Sequence, residues 1–271
     1  MPELPEVETT RRGIEPWLVG RRIEHLIVRD ARLRWPVSRA LPARMRGTTI
    51  RSVGRRAKYL LIATDAGNLI LHLGMSGSLR VLDAATPPFA HDHFDIVLDS
   101  GRCLRFNDPR RFGCLLYTAK DPLRHRLLAG LAVEPLSGEF DGDGLWRRAR
   151  DRRASIKAFI MDSRIVAGVG NIYASEALFR AGIRPGLAAA RVSRKRMAAL
   201  VGAIRDVLAA AIGAGGTTLR DYVDPSGTPG YFGVKLFVYE RAGQPCRKCR
   251  TTIRKYVQGQ RSTYWCPRCQ R

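Results

Sequence analysis

Two residues at the start of the chain have the types needed for covalent chemistry. The opening Met1-Pro2-Glu3-Leu4-Pro5-Glu6 puts a proline after the initiator methionine, which is usually removed when so small a residue follows. Pro2 then carries a free secondary amine. An α-amino group titrates near pKa ~8, about two units below lysine, so a useful fraction is unprotonated at neutral pH. Such an amine attacks an aldehyde-like carbon to give a cationic Schiff base, and Glu3 sets a carboxyl beside it as acid/base partner. The same residues also read as a helix start, with Pro5 in the first turn and Glu3 and Glu6 complementing the dipole. The readings are compatible, because a helix start holds the terminus rigidly.

A second constellation is metal-binding. Cys246-x2-Cys249 and Cys266-x2-Cys269, sixteen residues apart, have the spacing of a four-cysteine zinc site. Each pair makes a knuckle that aims two thiolates at one tetrahedral ion. A module of about 30 residues cannot build an adequate core, so ligation supplies its folding energy. With all four positions taken by cysteine, the zinc is structural. The stretch from Arg241 to Arg271 holds nine Arg/Lys and no acid, which suits a hairpin laid against phosphate. Arg261 lies midway between the cysteine pairs, where a hairpin tip or second strand presents it.

Other candidates are turns that mix cations, aromatics and glycine. Lys58 follows Arg55-Arg56-Ala57 at the junction with an apolar strand, which suits a cation aimed into a cleft. Asn107-Asp108-Pro109-Arg110-Arg111-Phe112-Gly113 has the equipment of an intercalating wedge, an aromatic to fill a gap in the base stack and a guanidinium for a base edge. Phe112 folded inward reads equally well from these residues alone. Gly-flanked Met75 is likewise a wedge or core residue. In His91-Asp92-His93 no third ligand is in sight, so phosphate or backbone hydrogen bonding is favoured over metal. Gly168-Val169-Gly170-Asn171 resembles a glycine turn entering a helix, a natural phosphate seat. Walker and Rossmann spacings are absent. Arg152, Arg153 and Lys157 extend the basic track.

Elements must position these residues. Apolar Val7, Ile14 and Leu18 predict a helix from Glu6 to Leu18, closed by Pro16 and Gly20. Short β segments follow at 22–28, 48–53, 59–63, 68–73, 78–82, 94–98, 102–106 and 114–117, at sandwich-like intervals. Cys103 and Cys114 lie within them and read as buried thiols. Residues 134–150 are Gly/Asp-rich and predict a linker. Helices are expected at 156–161, at 171–181 and from Ser193 onward, the last with a 3.6-residue apolar stripe ended by glycines. The expected domains are therefore 1–133, a linker at 134–150, 151–240 and 241–271. A formal charge of +23 with 45% hydrophobic residues describes a folded chain whose partner is a polyanion. No apolar run approaches the ~20 residues of a membrane span. The start lacks a basic-then-apolar signal pattern, so a soluble, intracellular protein is expected.

Taken in order, MPELPEVET, RLRWPV, RRAKYLL, HLGMSGSLR, HDH, DPRRFG, GVGNIYASEALF, GGTTLRDY, PGYF, QPCRKC and QRSTYWCPRC resemble the bacterial formamidopyrimidine-DNA glycosylase family along the whole chain. The sister group of endonuclease VIII type, acting on oxidised pyrimidines, carries glycine where Leu4 stands and lacks the PRRFG turn. Leu4 and Arg110-Arg111-Phe112 therefore favour the formamidopyrimidine branch. The resemblance implies an α+β multidomain fold with an N-terminal β-sandwich, a helix–two-turn–helix domain and a zinc-finger hairpin with one structural Zn2+. It implies a bifunctional glycosylase/AP lyase of base excision repair, a cytoplasmic monomer acting on double-stranded DNA that contains oxidised purines or abasic sites. By the same resemblance Pro2 attacks C1′ and Glu3 is the acid at the opening sugar. Lys58 donates a proton in β-elimination and contacts phosphate. Arg261 serves the second elimination and grips phosphates, as does Asn171. Met75, Arg110 and Phe112 fill the gap left by the flipped base, Arg110 reading the orphaned cytosine. His91 and Arg152 align with DNA contacts, although Arg152 stands where the family carries lysine. The loop from Gly215 to Tyr231 covers the everted base.

Overall fold

The computed structural model describes residues 2–215 and 235–271. The expectations for Met1 and for most of the loop from Gly215 to Tyr231 lie outside the described residues. Two compact units divide between Ala129 and Gly130, the second joining residues up to Ala214 with the described C-terminal stretch.

The first unit is a β-sandwich preceded by α1 (Leu4–Leu18). β1 (Ile23–Val28), β5 (Ser78–Asp83), β6 (Asp92–Leu98) and β7 (Arg102–Asn107) form one antiparallel sheet in the order β1-β6-β7-β5. β2 (Ile50–Arg56), β3 (Tyr59–Thr64), β4 (Gly67–His72) and β8 (Cys114–Thr118) form the other, in the order β2-β3-β4-β8. A short α2 (Leu41–Met45) packs on β1. Alternating inward residues, among them Leu60, Ile62, Leu69, Leu71, Phe94, Ile96, Leu104 and Phe106, form one core that also takes Val7, Ile14 and Leu18 of α1. The period-two burial of β3 is the pattern expected of a strand with one face on the core. α1 ends at Leu18 as expected, with Pro16 inside its last turn, and starts two residues earlier than expected, at Leu4. The missing proline N–H costs only one helical bond near the C-terminus.

The second unit holds α3 (Gly142–Ala149), α4 (Ile156–Met161), α5 (Asn171–Arg180), α6 (Arg194–Gly213) and the hairpin of β9 (Arg254–Gln258) with β10 (Arg261–Trp265). Its core gathers Leu145, Ile156, Ile160, Tyr173, Leu178, Leu200, Ile204 and Leu208. The expected linker at 134–150 thus contains a packed helix. The residues that suggested a loop have other uses there. Asp141 is the N-cap and accepts from Gly144 N at 2.7 Å, while a Cβ on Gly142 would sit 2.6 Å from Ala198 Cα. Cys103 and Cys114 are fully buried, and burial pushes the Cys114 thiol up to about 11.

Candidate functional site

In the first unit, Pro2 is buried immediately before α1. Glu3 is the N-cap and forms a reciprocal capping box with Glu6, donating its N–H to Glu6 Oε2 at 2.8 Å. The helix-start reading is therefore realised, and it fixes the backbone that follows Pro2. Lys58 sits half-buried in the two-residue turn between β2 and β3, beside Ala57 at φ 52. Arg55 links that turn to α1. Its Nε donates to Glu8 Oε2 at 3.0 Å and its NH1 to the Ala57 carbonyl at 2.9 Å. Burial alone would raise the Glu8 pKa, but hydrogen bonds from Arg11, Arg12 and Arg55 outweigh it and hold the carboxyl below its ordinary value.

The candidate wedge residues lie on two turns that abut. Gly74 adopts φ +68, and a Cβ there would fall 2.5 Å from both the Phe112 carbonyl carbon and the Gly113 nitrogen. Met75 is 39% and Phe112 44% exposed, so both side chains stand out from the sandwich instead of entering its core. The Arg110 guanidinium lies 5.0 Å from the Phe112 ring centroid. His72 Nδ1 accepts from Gly74 N at 2.8 Å and so fixes the Met75 turn from beneath. Burial, followed by the nearby charges of Lys58 and Arg34, lowers the His72 pKa to about 4 and keeps this acceptor neutral.

His91 is exposed, at φ 70, at the end of a loop supported by Arg105. That guanidinium is buried, pairs with both Asp95 oxygens at 2.9 Å and donates to the Thr86 and Pro87 carbonyls. Asp92 accepts from Phe89 N at 2.8 Å. Asp92 and His93 are buried in this framework, and among the described residues only the four cysteines form a cluster able to hold a metal.

In the second unit, Asn171 is the first residue of α5 and follows Gly168 at φ 79. Its Nδ2 donates to the Ser262 carbonyl at 3.1 Å, while its buried Oδ1 has no partner among the described residues. Lys157, expected on a surface track, is instead 2% exposed. It donates to Ser262 O at 3.1 Å and Thr263 Oγ1 at 2.8 Å, holding the hairpin against α4. Arg261 opens β10 after a Gly259–Gln260 turn with both φ angles positive. It lines a cavity of about 230 Å³ with Lys157, Ala158, Met161, Asp162, Gln258 and Gly259. Arg152 is exposed on the turn before α4, and the geometry shows no tie from its side chain to Asn171 or Arg261.

Glu176 and Asp108 escaped sequence reasoning. Glu176 is buried and accepts from the amides of Phe237, Val238 and Tyr239 at 2.8–2.9 Å, anchoring the segment that leads into the cysteine module. A glutamate inside the mostly apolar stretch Ile172–Phe179 was the available signal.

The four sulfurs of Cys246, Cys249, Cys266 and Cys269 lie within 4.8 Å of one another. The Cys246–Cys269 and Cys249–Cys266 separations are 3.9 and 3.4 Å. Tetrahedral ligation with Zn–S near 2.3 Å needs sulfurs about 3.8 Å apart, so the set fits one zinc ion. Hydrogen bonds from the Thr251 hydroxyl and amide hold the Cys249 thiol below its ordinary value, while burial raises Cys266 and Cys269.

Family models match the chain in three successive stretches. They are the formamidopyrimidine-DNA glycosylase N-terminal domain over residues 1–115, its H2TH domain over 131–223, and the zinc finger found in FPG and IleRS over 243–271. The formamidopyrimidine-DNA glycosylase of Syntrophotalea carbinolica is 59% identical over 271 residues, covering 100% of both chains. The MutM (Fpg) protein from Thermus thermophilus superposes with a TM-score of 0.88 at 42% identity, covering 99% of this chain and 98% of that one. Lactococcus lactis Fpg, solved in complex with DNA containing an abasic site, gives a TM-score of 0.92 at 32% identity over 100% of both chains. A sandwich, a helix–two-turn–helix unit and a four-cysteine finger together define the class of zinc-finger DNA-repair glycosylases. Within it, the chain belongs to the formamidopyrimidine-DNA glycosylase family. Among the described residues no helix is long and apolar enough to cross a membrane.

Proposed function

We propose that the chain is a bifunctional glycosylase and AP lyase that excises 8-oxoguanine and formamidopyrimidines from duplex DNA. With Met1 removed, the Pro2 nitrogen attacks C1′ of the damaged nucleoside. The N-glycosyl bond breaks and the base departs with a proton. Glu3 protonates the ring oxygen as the sugar opens, leaving an iminium between Pro2 and C1′. That cation acidifies the 2′-hydrogen, whose loss expels the 3′ phosphate. A further elimination expels the 5′ phosphate, and water then releases the enzyme. Lys58 supplies the proton in the first elimination, and Arg261 assists the second while holding phosphate.

The observation that carries this reading is the rigid seat of Pro2, buried at the head of a helix that Arg55 ties to the Lys58 turn. An enzyme acting on a base must take it out of the stack and fill the gap. Exposed Met75, Phe112 and Arg110 suit that task, with Arg110 reading the orphaned cytosine. His91, Arg152 and Asn171 grip the backbone, and the zinc holds the hairpin without entering the chemistry. Support also comes from Lactococcus lactis Fpg, solved with DNA containing an abasic site and, as a point mutant, with DNA containing Fapy-dG. We place the enzyme in the bacterial cytoplasm, acting as a monomer.

Excision rates on duplexes carrying 8-oxoguanine opposite cytosine or thymine glycol test the substrate class. Faster release of 8-oxoguanine is expected. Clear preference for thymine glycol would assign the pyrimidine-lesion activity instead.

A further inference from the structure

We infer that Asp108 is the positioning residue that sets the shape of the wedge, an inference that rests on the wedge reading of Met75, Arg110 and Phe112. The side chain is fully buried. Its Oδ1 accepts from Ser76 Oγ at 2.8 Å, next to Met75, and from Arg110 N at 3.3 Å. Its Oδ2 accepts from Gly113 N at 2.8 Å, next to Phe112. The main chain reaches the third presenting turn. Asp108 N donates to the His91 carbonyl at 3.1 Å, and the Asp108 carbonyl meets His93 Nε2 at 2.8 Å and accepts from Arg111 N at 3.2 Å. One residue therefore touches each turn that presents Met75, His91, Arg110 and Phe112.

A plainer role is an aspartate capping its own turn, which is common at the first position of such turns. That role accounts for the Arg110 amide. It does not account for Ser76, which comes from a different hairpin 32 residues away. The Arg110 and Gly113 amides can only donate and they reach different carboxylate oxygens, so the site requires an acceptor on both sides. A carboxylate also makes shorter and stronger bonds to such donors than an amide does. Asn at this position would turn its NH2 group towards either the Arg110 or the Gly113 amide, neither of which can accept, and so lose one of these bonds.

The test compares Asp108→Asn, Ser76→Ala, Met75→Ala and Phe112→Ala with the parent on two duplexes. One carries 8-oxoguanine, which must be everted, and the other a preformed abasic site, which has no base to evert. For Asp108→Asn the expected result is base release slowed about tenfold while scission at the abasic site changes less than about threefold, the size of effect set by loss of one buried charge-assisted bond. Ser76→Ala, which removes one bond and leaves the carboxylate, should show the same split at smaller size with its melting temperature unchanged. A purely structural role would lower both activities together, and that result overturns the inference. So does parent-like release by Asp108→Asn while Met75→Ala and Phe112→Ala are slow. If Met75→Ala and Phe112→Ala themselves release 8-oxoguanine at the parent rate, the wedge reading falls first. Should Asp108→Asn fail to fold, Ser76→Ala decides the matter: no split there overturns the inference.

Discussion

Gly74 and Gly113 meet backbone to backbone, so closely that a Cβ on Gly74 would lie 2.5 Å from the Gly113 nitrogen. Two turns 39 residues apart thereby become one surface from which Met75 and Phe112 both project. Neither turn has room for a side chain at this contact, so the two turns pack as one piece.

Gly74→Ala should separate the turns. The substitution meets backbone on one side and strains a φ of +68 on the other, so a loss of about 2–4 kcal/mol is expected. Urea denaturation measures it, and 8-oxoguanine release should fall more than abasic-site scission. A variant as stable as the parent would show that the turns yield freely.

His72 makes the sandwich acid-sensitive. Its folded pKa of about 4 lies below its ordinary 6.5, so above pH 6.5 both states are neutral and stability is unaffected. As pH falls from 6.5 to 4, the unfolded chain takes up a proton that the folded chain refuses, and stability drops by up to about 3 kcal/mol before levelling. His72→Asn keeps an acceptor for Gly74 N and cannot titrate. Unfolding titrations across this window should give a shallower slope for His72→Asn than for the parent. Equal slopes would remove His72 as the cause.

Glu176→Ala removes the carboxylate that the buried Val238 amide and the partly buried Phe237 and Tyr239 amides share. A cost of about 3 kcal/mol to the second unit is expected, because unpaired buried donors carry their full desolvation penalty. Hydrogen exchange should accelerate at those amides. Unchanged protection there would mean that Glu176 is not what anchors the segment.

Much of this organisation was legible in the sequence, because the signals were local. Alternating apolar strands, a proline and glutamate at a helix start, and paired C-x2-C motifs each depend on residues a few positions apart. What stayed hidden depended on distant partners. The glycines and aspartates at 134–150 suggested a linker, since nothing local shows that Ala198 requires a bare Cα at Gly142. Lys157 read as a surface cation, yet its partners, Ser262 and Thr263, lie more than 100 residues away. The orientation of Met75 and Phe112 was undecided for the same reason: it follows from the contact between Gly74 and Gly113.

Cys266→Ser should release the zinc and abolish DNA binding while leaving the sandwich folded, because the cysteine module lies wholly in the second unit. Metal content by mass spectrometry, DNA affinity and the melting of the first unit read the three consequences. Retained affinity would refute the grip assigned to the hairpin.

The most direct measurement is borohydride reduction of the enzyme on lesion-bearing DNA, followed by peptide mapping of the cross-linked product. The account predicts one covalent adduct per chain, joined to deoxyribose through the nitrogen of Pro2 in protein that has lost Met1. Full-rate cleavage with no trapped species, or an adduct carried by a lysine, would contradict it.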